Sequence, residues 1–166
     1  PRLVRLTESF VRDVLCSEVG LMSLHKCTVS CFVLVLRSGC TQAVILAAAE
    51  DPNDPDCAEV SVRRKDMLGE DQLSYTNAQA TAAWGNPAAV LLRCGLETVE
   101  VSTLPCVTAG TTDWLVDESD APKYRFISYA TFPAVEVIVD SEVASGISTL
   151  EGLSQAMSVL PRTKVC

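Results

Sequence analysis

The clearest patterns of apolar and polar residues lie in the second half of the chain. Residues 88–93 form an apolar run that ends in an arginine and follows a Gly-Asn-Pro turn. Such a run, bounded by turn residues, is typical of a strand buried on both faces. Residues 124–129 and 134–139 predict two further strands, and Pro133 between them marks a bulge, an edge or a tight connection. The pattern therefore predicts a sheet with the 88–93 strand at its centre.

The helical signals are fewer. The alanine-rich segment 77–83 predicts a short helix, with Asn77 as its N-cap and Gly85 just past its end. A closing helix is predicted from the capping-box spacing of Ser148 and Glu151. Its apolar face would hold five residues, and Pro161 would end it: Ile147, Leu150, Leu153, Met157 and Leu160.

Two shorter segments add to the strand count. Residues 111–116 predict a strand, and the alternating residues 98–102 predict a strand or a loop edge. Because strands outnumber helices and most connections are short, the sequence predicts an α+β fold. We expect a small antiparallel or mixed sheet with helices on one face.

The N-terminal part has a different character. Residues 1–27 mix charged and apolar residues, and residues 28–49 are apolar except for Arg37 and a short polar patch. A span of this length approaches the roughly 20 residues that cross a bilayer. Arg37 weakens this interpretation, since a charge at mid-membrane costs about 2.5–3.5 kcal/mol on insertion scales. We expect residues 1–27 to be a cytoplasmic segment or the basic part of a signal.

A lipoprotein signal is the competing interpretation of the same segment. Ser38-Gly39-Cys40 would be its cleavage site, and Cys40 the lipidated residue. The segment 36–40 resembles a bacterial lipobox, although Arg37 stands where an aliphatic residue is expected. A cleaved lipoprotein and an uncleaved anchor both remain open, and both place a membrane lipid in contact with the N-terminal segment.

Charge is distributed unevenly along the chain. Residues 1–39 hold five basic and three acidic residues, whereas the remainder holds eight basic and 18 acidic residues. An acidic body argues against nucleic acid as a partner, because such binding depends on cationic contacts to phosphate. A basic segment ahead of an apolar run indicates an N-terminus inside the membrane. Residues 50–56 predict a linker, and residues 57–166 an extracytoplasmic domain.

Four of the eight cysteines lie in the predicted domain, and four cysteines allow three pairings. Cys94 and Cys106 flank a short connection and are predicted to pair. Cys57 and Cys166 would then tie the two ends of the domain together. A zinc site is the rival interpretation, but the domain has no C-x-x-C spacing and no histidine. We expect disulfide bonds and no metal.

The residues also resemble a known family. The blocks that carry the resemblance are Trp84-Gly85, Leu92-Arg93-Cys94-Gly95, Asp113-Trp114, Pro133-Ala134-Val135-Glu136-Val137, Leu153-Ser154 and the cysteines Cys106 and Cys166. Together they are similar to an actinobacterial envelope family, the domain of unknown function 3515. The resemblance covers about residues 57–166 and implies secretion or membrane attachment. It implies no activity and no cofactor.

Few residues of the domain suggest chemistry. His25 precedes the apolar segment, so the domain holds no Ser-His or Cys-His arrangement. The acids of residues 113–120 lack the spacing of a known calcium loop, and a solvated turn is the more ordinary outcome. Trp84, Asp113 and Trp114 form a candidate surface or ligand patch, although core packing is the ordinary role of an indole. We expect a non-catalytic module that binds an envelope protein or component, with a carboxylate hydrolase as the alternative.

One ion pair is predicted within the sheet. Arg93 ends the central strand, and Glu136 interrupts the apolar run 135–139. Because successive strand residues point to opposite faces, the valines of that run share one face and Glu136 lies on the other. An unpaired ion among apolar strands is costly. We therefore expect Arg93 and Glu136 to pair, the alternative being that each points to water at a strand edge.

Overall fold

In residues 43–166, eight strands form one open sheet in which every pair of neighbours is antiparallel. The computed structural model describes residues 43–166, so the predictions for residues 1–42, including Cys40 and most of the apolar segment, lie outside the described residues. The helices in this described part of the chain are α1 (Pro55–Arg63) and α2 (Gly146–Met157). The strands are β1 (Met67–Leu68), β2 (Asp71–Ser74), β3 (Thr81–Gly85), β4 (Ala88–Leu96), β5 (Cys106–Ala109), β6 (Thr112–Asp117), β7 (Lys123–Ser128) and β8 (Ala134–Asp140).

The strand order is β1-β2-β3-β4-β8-β7-β6-β5. Strands β1 to β4 form one meander and β5 to β8 another, and the two meet where β4 pairs with β8. The predicted strands at 88–93, 111–116, 124–129 and 134–139 are present as β4, β6, β7 and β8. The fold is thus the predicted α+β class with a central β4.

One face of the sheet packs against both helices. Val90 and Val137 of the central strands share a continuous core with Val60 of α1 and with Leu150 and Leu153 of α2. The hydrophobic effect favours this arrangement, because each helix has one apolar side that must leave water. We call this side of the sheet the helix face.

The predicted helix at residues 77–83 is wrong. Residues 81–85 are strand β3, which pairs with β2 on one side and β4 on the other, and all five residues are buried. Alanine favours a helix in isolation, but a short propensity signal is outweighed where neighbouring strands supply hydrogen bonds and burial. Residues 98–102 also form no strand, although Val99 makes an isolated bridge to Tyr129.

Helix α2 begins earlier than the capping-box spacing predicts, and helix α1 is a helix that the sequence patterns did not predict. Helix α2 begins at Gly146 after Ser145, so Ser148 and Glu151 lie within it and do not form the predicted capping box. Leu150, Leu153, Met157 and Leu160 of the predicted apolar face are buried, whereas Ile147 is exposed. Helix α1 begins at Pro55, within the segment assigned as a linker, and Asp54 caps it by accepting a hydrogen bond from the backbone N–H of Asp56.

Residues 43–49, which we call the strap, are hydrogen-bonded to the connection between β2 and β3. The backbone N–H of Val44 donates to Tyr75 O at 2.8 Å, and that of Leu46 donates to Asn77 Oδ1 at 2.6 Å. The strap is the end of the apolar segment 28–49. Neither helix found in residues 43–166 has the length and apolarity that crossing a membrane requires.

All four cysteines of the domain form disulfide bonds, but the predicted pairing is wrong. Cys57 pairs with Cys94 and Cys106 with Cys166, at Cα–Cα distances of 5.6 and 6.4 Å. The prediction assumed that β4 and β5 lie together because a short connection joins them. In the sheet β8, β7 and β6 lie between them. Cys94 and Cys106 are therefore too far apart for a disulfide bond, which needs Cα atoms within about 7 Å.

Candidate functional site

The face of the sheet opposite the helices carries a cluster of charged residues. In β8 the valines at 135, 137 and 139 belong to the helix-face core, so Glu136 points the other way. In β4 the same alternation places Arg93 on Glu136's side. In β7 Phe126 joins the core, which turns Arg125 to this second face. We call it the charged face, and Arg93, Arg125 and Glu136 the arginine–glutamate cluster.

Glu136 is the centre of the cluster. It is only 2 % exposed, and Arg93 Nε donates to its Oε2 at 2.6 Å. Arg125 Nε donates to the other oxygen, Oε1. Each carboxylate oxygen thus has its own guanidinium donor. The structure brings Arg93 and Glu136 together, but Glu136 has two arginine partners where the sequence suggested one.

The strand register explains why these side chains meet. Arg93 lies directly opposite Glu136 in the β4–β8 pair, and Arg125 lies opposite Ile138 in the β7–β8 pair. Arg125 is therefore a diagonal neighbour of Glu136, a separation that a long side chain spans. Sequence reasoning missed Arg125. The signal that could have found it is its position between Tyr124 and Phe126, since both point to the helix face.

The ionised form of Glu136 is stabilised by its partners. Burial alone raises the pKa of this carboxyl group, because removal from water disfavours its charge. The hydrogen bonds and positive charges of Arg93 and Arg125 outweigh that effect, so the pKa of Glu136 lies below its ordinary value. The distance from Arg125 Nη1 to Asp117 Oδ2 is 3.9 Å. The pKa of Asp117 is lowered too, mainly by its hydrogen bonds with Ser119.

A cavity of about 240 Å³ opens beside the cluster. The strap forms one wall through Ile45, Leu46 and Ala47. Leu91 and Arg93 of β4 and Glu136 and Ile138 of β8 form the floor. The lining therefore combines aliphatic side chains with one guanidinium and one carboxylate, and it is about as polar as it is apolar.

A second cavity of about 340 Å³ lies on the helix face, between the outer strands and the first turn of α2. Its lining is mostly apolar and includes Val107, Tyr124, Phe126 and Ile147, with Glu118 as its single carboxylate.

The candidate patch of Trp84, Asp113 and Trp114 is not at the surface. Both indoles are fully buried on the helix face, in β3 and β6, which belong to different halves of the sheet. Trp84 Nε1 donates to Lys65 O at 3.0 Å. Asp113 is buried as well and accepts hydrogen bonds from Thr108 Oγ1 and from the backbone N–H of Cys166. The surface interpretation of these three residues is therefore wrong.

The other acids near residue 113 do not converge. Asp117 Oδ1 accepts a hydrogen bond from the backbone N–H of Ser119, while Glu118 and Asp120 are exposed in the following turn. Across residues 43–166, no three His, Cys, Asp or Glu side chains are placed so that they could hold a metal ion.

Comparison with known families gives one match. A family model described as "Protein of unknown function (DUF3515)" matches residues 27–165. The match therefore covers nearly the whole chain, including the strap and the arginine–glutamate cluster. Comparisons with curated proteins and with solved structures give no match.

Proposed function

This chain belongs to the protein family of unknown function DUF3515, and we propose that it is a binding module of the actinobacterial cell envelope. In this proposal the domain lies on the outer face of the cytoplasmic membrane. The N-terminal segment attaches it there, either as an uncleaved anchor or through a lipid on Cys40. Its partner is an envelope protein or another envelope component.

The observation that carries the proposed location is the state of the cysteines. All four cysteines in residues 43–166 form disulfide bonds, one inside the core and one near the surface. Disulfide bonds persist in oxidising compartments and are rare in the cytosol, where thiols are kept reduced. The basic segment ahead of the apolar run supports the same orientation.

Binding is favoured over catalysis by the chemistry of the charged face. The carboxylate hydrolase alternative needs two acids with separated pKa values in one pocket. The cavity on the charged face has one carboxylate in its lining, that of Glu136, and both of its oxygens accept hydrogen bonds from arginines. A carboxylate held in this way is a poor general acid or base, because its pKa is lowered and its lone pairs are engaged.

The location is tested with reporters fused after Cys166. We expect alkaline phosphatase, which needs an oxidising compartment, to be active in this fusion. A fluorescent reporter that matures only in the cytoplasm should stay dark. The opposite pattern would contradict the proposal.

The form of attachment is tested separately with the variant Cys40→Ser. If the lipoprotein form is correct, the variant loses both the mass of the lipid and its membrane attachment. Unchanged mass and attachment would show the uncleaved anchor instead.

A further inference from the structure

The cavity on the charged face combines aliphatic side chains with an arginine whose terminal guanidinium nitrogens can contact a ligand. Leu91 and Ile138 supply aliphatic surface from the sheet, and the strap supplies more from the opposite side. Arg93 projects into this space with its side chain 29 % exposed. The site is therefore sheltered on several sides yet open to an incoming molecule.

Arg93 uses only part of its hydrogen-bonding capacity inside the protein. Its Nε donates to Glu136, which fixes the plane of the guanidinium group. Within residues 43–166 the two terminal nitrogens have no hydrogen-bond partner. A guanidinium group presents its donors as a rigid fork, and two parallel N–H groups match the two oxygens of a carboxylate.

The charges around the cavity favour an anion. Glu136 is shared by two arginines, so the cluster of three residues carries one excess positive charge. Asp117, which lies two strands away from β8, contacts Arg125 at 3.9 Å, whereas Glu136 is the one acid within salt-bridge distance of Arg93 among residues 43–166. This local positive charge stands out on a chain with a formal net charge of −8.

We propose that the cavity binds an aliphatic carboxylate. Its carboxylate group contacts the terminal nitrogens of Arg93, and its aliphatic part packs against Leu91, Ile138 and the strap. This inference deepens the proposed function, because it names the ligand chemistry of the binding module. The same chemistry is present in a free aliphatic acid and in the carboxyl terminus of a peptide that ends in an aliphatic residue.

The size of the cavity limits the ligand. A volume of about 240 Å³ equals roughly eight water molecules at about 30 Å³ each. It falls below the roughly 300–1,000 Å³ of pockets for drug-sized ligands. The site therefore accommodates a short acid or one terminal residue, and a larger ligand would extend out along the strap.

The experiment uses the full chain, purified in detergent, with four probes. Hexanoate is compared with hexanamide by calorimetry. A short dye-labelled peptide ending in leucine is compared with its C-terminally amidated form by fluorescence anisotropy. Methyl NMR of Ile138 reports whether each probe occupies the cavity. We expect saturable binding of at least one carboxylate, with movement of the Ile138 methyl signals, and no binding of the amides.

Two variants and one control locate the site. Arg93→Lys retains the charge but loses the fork, and it should weaken binding about tenfold or more, as expected for a lost charge-assisted contact. Ala47→Trp places a large side chain at an exposed strap position that lines the cavity, and it should weaken binding by a similar factor. Arg63→Lys makes the same substitution in an exposed pair on α1 and should leave affinity unchanged.

The outcomes are decisive. Binding of hexanoate alone identifies a free acid as the ligand, and tighter binding of the peptide identifies a carboxyl terminus. Equal binding of acids and amides, no saturable binding at millimolar concentrations, or binding unaffected by Ala47→Trp would overturn the site. Ala47→Trp tests the proposed binding site even if Arg93→Lys does not fold. The reporter fusions remain informative about location in every case, so failure of this site and failure of the proposed location are distinguishable.

Discussion

The two faces of the sheet are stabilised by different physical effects. On the helix face, the side chains are apolar and both helices cover them, so the hydrophobic effect dominates. On the charged face, a carboxylate that is 2 % exposed lies between two arginines that reach the solvent. Both faces are built from the same strands, and the alternation of strand residues separates them.

The two disulfide bonds also lie on different faces of the sheet. Cys57 and Cys94 are fully buried, and their bond joins α1 to the helix face of β4. Cys106 and Cys166 are exposed, and their bond holds the last described residues against β5 beside Leu115 on the charged side. The helix face is thus a core closed by both helices. On the charged face the arginines and the Cys106–Cys166 bond reach the solvent, although Glu136, Leu115 and Ile127 are buried.

The largest effect is expected on the helix face. Trp84→Ala should lower the free energy of unfolding by about 5 kcal/mol, at the upper end for a buried tryptophan, because the indole N–H also bonds Lys65 O. Val62→Ala on α1 is the control, since Val62 is 80 % exposed, and it should change stability by no more than about 0.5 kcal/mol. Urea unfolding measures both. A Trp84→Ala cost close to that of the control would contradict a closed core.

The second-largest loss of stability is expected when a disulfide bond is removed. They close sequence separations of 37 and 60 residues, so the chain-entropy model gives each about 4 kcal/mol. Replacing either pair by alanines should lower stability by about that amount in a urea titration.

The difference between the two bonds should appear in their rates of reduction. A thiol reductant without denaturant reaches the exposed Cys106–Cys166 bond first, because exchange requires access to the sulfur. Alkylation and mass spectrometry after timed reduction measure the order. Earlier reduction of Cys57–Cys94 would contradict its burial in the core.

An intermediate effect is expected in the arginine–glutamate cluster. Glu136→Gln leaves Arg93 and Arg125 without their anion and should cost about 3 kcal/mol. The cost lies at the lower end for a buried pair because the arginine side chains are 29 % and 40 % exposed. In a cycle with Arg93→Met, the double variant should cost about 0.5–3 kcal/mol less than the sum of the two single variants. Simple additivity would show that the two residues do not interact.

A matched surface pair provides the control for that cycle. Arg63 and Glu59 are one turn apart on α1 and both exposed. Removing either should cost only about 0.3–0.5 kcal/mol. A loss of stability equal to that of Glu136→Gln would mean that burial does not strengthen the contribution of the Glu136 ion pairs to stability.

Much of this arrangement was predictable from the sequence. The apolar run of β4 and the alternation in β8 identify the central strands and place Glu136 opposite the valines. The position of Arg93 at the end of a buried run then suggests its partner. These predictions succeed because they rest on period-2 patterns, which decide the face of each residue.

The rest depended on neighbours that are distant in sequence. Segment 77–83 resembles a helix until β2 and β4 flank it. The disulfide pairing follows from strand order, and three strands intervene between β4 and β5. The strap and Arg125 acquire their positions only when β4, β7 and β8 are assembled. Local patterns carry no information about which strands become neighbours.

The smallest effect is the dependence of stability on pH. The folded-state pKa of Glu136 lies below its ordinary value, which the residue has in an unfolded chain. Its contribution to stability is therefore present above that value and is lost as the pH falls through the folded-state pKa. Urea titrations between pH 7 and pH 3 should show a larger loss of stability in the parent protein than in Glu136→Gln. Equal losses would indicate that the pKa of Glu136 does not differ between the two states.

The central claim is that Glu136 is a buried carboxylate kept ionised by Arg93 and Arg125. An NMR titration of its ¹³C-labelled side-chain carboxyl group tests that claim most directly. We expect a single titration with a pKa below the ordinary value of a glutamate, and a rise in this pKa when Arg93 or Arg125 is replaced by methionine. A pKa above the ordinary range in the parent protein would contradict the account, because it would show that burial of the carboxyl group outweighs both arginines.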